Sequence, residues 1–390
     1  MKIGYAQTVI TPSLDRPVYL AGFGNNRRAQ TIHDELFARA LVIQEEPAIL
    51  VLVALDLIGL FRPDVYDVIQ RIEIPTVFII IASTHTHHGP DTMGLWGPDD
   101  KTPGVDARYM LELKQKVEST ILLAIGNLQP ATGMKSCSVL VPGIAKNARN
   151  PEIVDEELTA LQFIGQGGVP LASLLNFPCH PEVLWEHNPH ITSDYPGVLR
   201  REVEARTNAP CIFFSGALGG MMTPDVKDHS FEECEQVGTA LARIGLGLLA
   251  QTAIVPVDSL TLQKEPVAVK LTNILYKLAF RRKLLPDTRN PKGQIETEIN
   301  LLKIGEAWFA TVPGEMLPKL GLALKASLRE AGGGTVGVIG LANDELGYIL
   351  PKEDFKYPLN PFRPGKHYEE TNSIGKEIGP AVMNAVRDLL

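Results

Sequence analysis

The stretch "TVFIIIASTHTHHGP", residues 76–90, joins an uninterrupted apolar run to a cluster of three histidines, His85, His87 and His88. Continuous apolar runs of this length are typical of strands that are covered on both faces, as in sheets flanked by helices. Packing alone gives no reason for three imidazoles at the end of such a strand. The stretch therefore predicts a buried strand with a functional site directly after it.

The same pattern of an apolar run followed by a polar or glycine-rich turn recurs along the chain, at 48–60, 170–180, 209–220, 306–315 and 335–345. Amphipathic periodicity predicts helices between and after these runs, at 64–72, 106–128, 230–251, 316–332 and 378–390. Strands that alternate with helices predict an α/β fold, with layered sheets flanked by helices.

The pattern changes near 252–303, where the alternation of apolar and polar residues predicts an antiparallel β insertion. A basic loop at 281–293 separates the two halves of this insertion. We see no linker that would divide the sequence, so we expect residues 1–390 to form one composite domain.

Composition excludes several classes of protein. The 390 residues carry a formal net charge of −8, whereas nucleic-acid binders normally present a basic surface. No apolar run reaches the roughly 18 residues of a membrane span, and the amino terminus lacks the apolar segment of a signal peptide. We therefore expect a cytoplasmic protein without an integral membrane segment, for which a homo-oligomer stays open. The four widely spaced cysteines indicate free thiols rather than a disulfide framework.

Polar residues stand directly after several of the predicted strands. His180 follows the run at 170–179, Glu315 follows 306–314, and Tyr348 lies in the segment after 335–343. The run at 209–214 is followed by the glycine-rich "SGALGGMMTPD", which holds Thr223. Because ligands in α/β sheets bind beyond the carboxyl ends of strands, these residues are candidates for one shared site.

The chemistry of this set is that of a metal centre. Two imidazoles and a carboxylate suit Zn²⁺, which lowers the pKa of a bound water to about 7. An extended H-x-H segment places His85 and His87 on the same side, and one of them can bind metal while the other contacts substrate or water. Taken singly, Glu315 also fits an acid at a helix N-terminus, and Tyr348 also fits half-buried packing.

Several short motifs, taken together and in order, resemble a known family. They are "GYAQTVITP", "ASTHTHHGP", "NFPCHPEVL", "VPGE" and "NDELGYILPKEDFKYP", which run from one end of the chain to the other. Their order and approximate spacing are similar to those of the amino-terminal catalytic domain of the neutral/alkaline (non-lysosomal) ceramidase family.

The resemblance implies a zinc amidase in which a metal-activated water attacks the carbonyl of an N-acyl amide, such as that of a sphingolipid. His87 would be the catalytic or substrate-binding histidine beside the metal, and Arg149, in "ARNP", would face the substrate. Tyr348 would be a displaceable ligand that also stabilises the oxyanion. The metal ligands implied by the resemblance are His85, His180, Glu315 and Tyr348.

The sequence departs from the family at two polar positions. Thr223 stands where the family has a serine once proposed as a nucleophile, which disfavours a serine mechanism and leaves a zinc-hydroxide mechanism untouched. His88 also replaces a serine. The carboxyl-terminal β-sandwich domain of longer members is expected to be absent.

Several functional alternatives remain open at this point. The substrate is ceramide or a smaller amide, and the same zinc site also suits an esterase or lactonase. The other class of function is a non-catalytic metal- or ligand-binding protein.

Overall fold

A computed structural model describes residues 1–257, 259–282, 284–356 and 368–390. Asp258, Lys283 of the predicted basic loop, and residues 357–367, of which the first two end the last motif, lie outside this part. The helices are α1 (Arg62–Ile69), α2 (Ala107–Gly126), α3 (Tyr195–Thr207), α4 (Phe231–Gln251), α5 (Ile274–Arg281), α6 (Pro318–Glu330), α7 (Tyr368–Thr371) and α8 (Ile378–Leu389). The strands are β1 (Lys2–Val9), β2 (Thr31–Ile32), β3 (Phe37–Glu45), β4 (Ala48–Leu55), β5 (Val77–Ser83), β6 (Gln129–Pro130), β7 (Gly133–Leu140), β8 (Ala145–Asn147), β9 (Glu157–Ile164), β10 (Pro170–Phe177), β11 (His190–Ile191), β12 (Cys211–Ser215), β13 (Met222–Pro224), β14 (Leu260–Lys270), β15 (Gln294–Ile304), β16 (Ala307–Thr311), β17 (Glu315–Met316), β18 (Thr335–Ile339) and β19 (Tyr348–Ile349).

Three mixed sheets make up the framework. The first has the order β5-β4-β3-β1-β6, the second β12-β10-β9-β7, and the third β14-β15-β16-β18. Each contains one parallel pair, namely β4 with β5, β10 with β12, and β16 with β18. The predicted apolar runs supply these six strands, and that explains why their residues are apolar on both faces.

One face of every sheet packs into a shared central core. Leu52 and Ile80 reach this core from the first sheet, Phe163 and Phe214 from the second, and Phe309 from the third. All five side chains are buried. Truncation of one of these phenylalanines to alanine would cost about 3–5 kcal/mol of folding free energy, because the cavity cannot collapse in so dense a core.

The opposite face of each sheet is covered by helices. On β3, Leu41 faces the central core, whereas Ala40 and Val42 belong to a second cluster with Val117 and Ile121 of α2. In the same way, α3 and α4 cover the second sheet, and α6 and α8 cover the third. The predicted α/β fold of layered sheets with flanking helices is therefore confirmed.

Helix boundaries follow local capping signals. The side chain of Asp106 accepts hydrogen bonds from the backbone N–H groups of Arg108 and Tyr109 at the start of α2, and Ser230 caps α4 by accepting from Glu233.

The helix α3, residues 195–207, was not predicted from the sequence.

The predicted antiparallel insertion is confirmed in part. Strands β14 and β15 pair antiparallel over their whole length, from Leu260 opposite Ile304 to Lys270 opposite Gln294. The prediction of further strand after β14 is wrong, because Asn273 caps a helix there and residues 274–281 form α5. The pair also does not stand apart, since β15 continues into the third sheet through β16.

The carboxyl ends of strands from all three sheets meet at one place. The Ser215 hydroxyl at the end of β12 donates to the carbonyl of Thr84, which follows β5 (2.7 Å). The backbone N–H of Gly340, after β18, donates to the carbonyl of Ser215 (2.9 Å), and that of Asn343 donates to the carbonyl of Ile81 (2.8 Å). These bonds fix the polar segments that follow the strands against one another.

The length and apolarity of the helices also bear on membrane insertion. Across the described ranges, none of the helices combines the length and the apolarity that a bilayer span requires.

Candidate metal centre

Three buried histidines from two sheets form a cluster where the strand ends meet. His85 and His87 follow β5, and His180 follows β10. Their ring centroids are 5.0 Å (His85 to His87), 5.0 Å (His85 to His180) and 5.4 Å (His87 to His180) apart. One nitrogen from each ring lies within 4.8 Å of the other two. The segment that attracted attention in the sequence therefore supplies two thirds of the cluster, and His180 completes it.

Backbone carbonyls orient two of the rings. Nδ1 of His85 lies 2.6 Å from the carbonyl oxygen of Ile58, and Nδ1 of His180 lies 2.9 Å from that of Met222. A carbonyl only accepts, so each Nδ1 carries a proton, and Nε2 is the ring nitrogen left for a metal. Histidines that ligate metals are fixed in this manner. The two Nε2 atoms converge on Oε2 of Glu315, at 3.1 Å from His180 and 3.6 Å from His85.

A short parallel pair of strands places Glu315 beside Tyr348. Strand β17 pairs with β19, with Glu315 opposite Tyr348. The Tyr348 hydroxyl interacts with the Glu315 carboxylate, and it also lies 3.5 Å from the sulfur of Met221. Gly314 must be glycine here, because its φ is 153° and a Cβ would lie 2.4 Å from the carbonyl oxygen of Gly347.

The members of the cluster shift one another's pKa values. Burial favours the neutral acid of Glu315, but the imidazoles of His85 and His180 outweigh it and lower its pKa to about 2. Burial disfavours a charged His180, yet the carboxylates of Glu182 and Glu315 raise its pKa to about 9. Burial and the neighbouring imidazoles hold the pKa of His87 well below its ordinary value. Without metal, the cluster keeps a proton between His180 and Glu315 and leaves His87 neutral.

His87 occupies a distinct position in the cluster. Its Nδ1 lies 3.1 Å from Oε2 of Glu182, but the two groups are not aligned, and within the described residues neither ring nitrogen has a hydrogen-bond partner. Thr223 interacts with the same Glu182 carboxyl and favours its charged form. Glu182 was not among the site residues predicted from the sequence, although "CHPE" places it two residues after His180.

The donor set fits a transition-metal ion. The Nε2 atoms of His85 and His180 and a carboxylate oxygen of Glu315 converge on one point, and His87 adds ring nitrogens without hydrogen-bond partners among the described residues. Borderline metals that accept nitrogen and oxygen ligands are bound by such sets. In a metal-free protein the same groups could satisfy one another only by sharing protons.

The other candidate residues lie outside the cluster. Arg149 lies in the wall of a neighbouring cleft, where its guanidinium bonds Glu369 (2.5 Å) and Glu370 (3.0 Å). The ring nitrogens of His88 face Arg27 and Asp194 instead, at 3.4 Å and 3.5 Å. The structure thus brings together His85, His87, His180, Glu315 and Tyr348, and it places Thr223 behind them next to Glu182.

Two cavities of opposite character meet at the cluster. The first, here called the polar cleft, has a volume of 810 Å³ and is lined by charged side chains that include Arg149, Glu186, Lys319, Glu353, Asp354 and Lys356. The second, the apolar chamber, has a volume of 210 Å³ and is walled mainly by Ile58, Phe61, Met93, Trp96, Leu275 and Leu285. The residues that line both cavities are Gly22, His87, Tyr348 and Tyr368.

Comparison with known proteins shows which solved structures have a similar fold. No family model matches the sequence, and no curated protein matches it. Among solved structures, the chain is similar to neutral ceramidase from Pseudomonas aeruginosa, with a TM-score of 0.78 and 19% identity over 99% of this chain and 73% of that one. It is also similar to a ceramidase complexed with C2, with a TM-score of 0.77 and 17% identity over 100% of this chain and 75% of that one. The chain has a neutral ceramidase-like fold, as the sequence motifs predicted.

Proposed function

We propose that this protein is a zinc-dependent hydrolase that cleaves the amide bond between an apolar acyl chain and an amine. The observation that carries the proposal is the buried histidine cluster with Glu315, placed where the apolar chamber and the polar cleft meet. The ceramidase-like fold supports the choice of an amide, because the two similar structures are of ceramidases.

In this proposal His85, His180 and Glu315 hold the metal, and Tyr348 completes the set. A zinc ion in such a set supplies Lewis acidity and a water whose pKa is lowered to about 7. Binding of the ion displaces the proton that His180 and Glu315 share, since a ligand imidazole must present its lone pair. The backbone carbonyls of Ile58 and Met222 keep the two imidazoles in the required orientation.

His87 is the proposed proton carrier. It is neutral near pH 7 because its pKa lies well below the ordinary value, so it can accept a proton from water and pass it to the leaving amine. Glu182, 3.1 Å away, would stabilise the imidazolium that forms. A histidine in this role contributes a factor of about 10²–10⁴ to the rate.

Tyr348 is the proposed donor to the oxyanion. In the metal-free protein, burial and the negative charge of Glu315 raise the pKa of its hydroxyl well above 10, so the hydroxyl carries its proton before metal binds. A phenol that stays protonated in a dry site can donate a hydrogen bond to the negative charge that develops on the carbonyl oxygen.

The two cavities assign the two halves of the substrate. The acyl chain belongs in the apolar chamber, because its walls offer carbon surface. The amine takes up a proton as it leaves, and a charged ammonium is tolerated better in the polar cleft, whose wall is charged, than in the apolar chamber.

Metal analysis combined with an activity assay tests the proposal. We expect stoichiometric zinc and turnover of N-acyl amines in the wild type, and loss of both in His85→Ala and His180→Ala. His187→Ala is the matched control, because the His187 side chain is 92% exposed and belongs to no cluster in the described structure. Full zinc content in both cluster variants would refute the metal assignment.

A panel of matched substrates tests the bond that is cleaved. Amides, esters and lactones with the same acyl chain are compared at equal concentration. Faster turnover of the amides, relative to their uncatalysed rates, supports an amidase. Turnover of the esters or lactones alone would show that the same centre serves an esterase or lactonase. Zinc binding without turnover of any member would show a non-catalytic protein.

A further inference from the structure

In the wall of the apolar chamber, the carboxyl group of Glu345 has a hydrogen-bond partner for only one of its two oxygens among the described residues. The side chain of Glu345 is buried, with 3% of its surface exposed, and it lines the chamber. Its Oε1 accepts a hydrogen bond from the backbone N–H of Gly347 (3.0 Å). Its Oε2 is buried and has no hydrogen-bond partner among the described residues. An unpartnered buried oxygen is costly, so its retention in a ligand cavity points to a partner that arrives with the ligand.

Glu345 packs against the segment that orients His85. It packs on Gly59, where a Cβ would come within 2.8 Å of the Glu345 Cγ. Gly59 directly follows Ile58, whose carbonyl oxygen holds Nδ1 of His85 at 2.6 Å. A group that bonds Oε2 of Glu345 would therefore lie on the side of the chamber that adjoins the His85 segment, toward the carbonyl end of a chain held there.

The surroundings restrict the chemistry of that group. An ammonium would satisfy a carboxylate, but it would lose its hydration among Ile58, Phe61 and Met93 without full compensation. A carbonyl would bond only the protonated acid. A hydroxyl both donates and accepts, so it satisfies Oε2 whether Glu345 is charged or neutral.

We propose that the apolar chamber binds a hydroxyacyl chain and that Glu345 recognises its hydroxyl, carried on the second or third carbon from the scissile carbonyl. This inference rests on the proposed function, in which the acyl chain occupies the chamber. It makes Glu345 a specificity-determining residue, distinct from the groups assigned to metal binding and proton transfer.

Matched substrates and two variants test the inference. Octanoyl, 2-hydroxyoctanoyl and 3-hydroxyoctanoyl amides of one amine are compared in wild type, Glu345→Leu and Glu345→Gln. We expect the wild type to favour one hydroxyacyl amide by about tenfold in kcat/KM, the usual effect of one hydrogen bond to a buried polar group. In Glu345→Leu the ratio of kcat/KM for the hydroxyacyl amide to that for the plain octanoyl amide should fall to about one, and this ratio is read within the one variant, so a change in its absolute rate does not affect the test.

Glu345→Gln separates recognition from folding. The glutamine keeps an acceptor for the N–H of Gly347 and retains polar capacity toward the chamber, so part of the hydroxyl preference should survive. Equal kcat/KM values for all three amides in the wild type would overturn the inference. So would a hydroxyl preference that persists unchanged in Glu345→Leu.

A binding readout separates failure of the inference from failure of the proposed function. Trp96 lines the chamber, so its fluorescence should report binding of octanoic and 2- or 3-hydroxyoctanoic acid, with Trp96→Phe as the control for the signal. We expect about tenfold tighter binding of one hydroxy acid, abolished in Glu345→Leu. This preference without any amide cleavage would refute the proposed function and keep the recognition. Amide cleavage with equal binding of all acids would refute the recognition alone.

Discussion

The apolar chamber and the polar cleft share four lining residues, but different interactions hold their walls in place. The wall of the chamber includes Met93 and Trp96, which belong to the segment that Asp91 organises. The buried Asp91 carboxylate accepts four backbone N–H groups, from Met93 (2.9 Å), Gly94 (2.7 Å), Trp96 (3.1 Å) and Gly104 (3.1 Å). The backbone N–H groups of this part of the chamber wall are thus hydrogen-bonded to a side chain of the protein, and the wall presents apolar side chains to the cavity.

The polar cleft is held by ion pairs between distant parts of the chain. Arg149 bonds Glu369 and Glu370 of α7, and Lys319 bonds Glu353 (2.8 Å) and Asp354 (3.3 Å). The Lys319 pairs are partly exposed, so they are weak and screened by salt, whereas the two carboxylates that bond Arg149 are buried. Under the proposed function, the apolar chamber would select substrates by shape and carbon surface, whereas the polar cleft would accommodate charged groups.

The largest effect is expected where both cavities meet, at Gly22. Its φ is +101°, and a Cβ would lie 2.3 Å from Cγ of His87. Gly22→Ala should displace His87, lower kcat by about 10² and cost about 1–3 kcal/mol of folding free energy. Gly24→Ala is the control, because Gly24 lines the same cleft with no atom within 4 Å of its Cβ position. Equal activity of the two variants would mean that His87 does not act on the substrate.

The metal affinity should depend on pH because His180 must lose a proton before it can bind metal. The pKa of His180 in the metal-free protein is about 9, because Glu182 and Glu315 outweigh the effect of burial. Its proton must leave before metal binds, so the affinity should rise about tenfold per pH unit up to about pH 9 and then level off. Competition with a chelator from pH 6 to 10 measures this slope. A flat profile would show that His180 is not a ligand.

The stability of the metal-free protein should show the opposite trend. A pKa of His180 raised from 6.5 to about 9 stabilises the fold fully below pH 6.5, and this contribution is lost as the pH rises through 9. The melting temperature of the metal-free wild type should therefore fall between pH 7 and 10, and that of His180→Ala should fall less. An identical decline in both proteins would contradict the raised pKa.

A substitution in the chamber should change selectivity for the acyl chain. Ala279 of α5 lines the chamber, and Ala279→Leu fills part of its 210 Å³. We expect KM for long-chain amides to rise about tenfold, while short-chain amides are unaffected, because added methylenes no longer fit. Asn150→Leu in the cleft wall is the control and should leave the dependence on chain length unchanged. Chain-length effects of the same size in both variants would remove the distinction between the cavities.

The smallest effect on turnover is expected at Arg149, in the wall of the cleft. Arg149→Met removes the partner of two buried carboxylates on α7, so we expect a loss of about 3 kcal/mol in folding free energy but less than a fivefold change in kcat/KM. Thermal unfolding and a steady-state assay measure both. A fall in kcat/KM above 10² with an unchanged melting temperature would instead support the substrate contact that the family resemblance implies.

Local sequence patterns were sufficient to predict most of the layered fold. The apolar runs, such as 48–60 and 76–84, supply the parallel strands, since residues buried on both faces have to be apolar along their whole length. The pattern was insufficient for α5, where apolar residues continued from β14 and only the cap at Asn273 marked a helix. It was also insufficient for α3, which the structure begins after the cap at Asp194.

The sequence by itself determined that His85, His180, Glu315 and Tyr348 would stand at strand ends, because the direction of each strand decides which residues follow it. Only the tertiary structure decided what those residues touch. Glu182 beside His87, the need for Gly22, the carboxylates around Arg149 and the half-satisfied Glu345 depend on approaches between segments far apart in the chain. A local pattern encodes burial and direction, whereas the partner of a buried polar atom is set by how three sheets and their helices pack together.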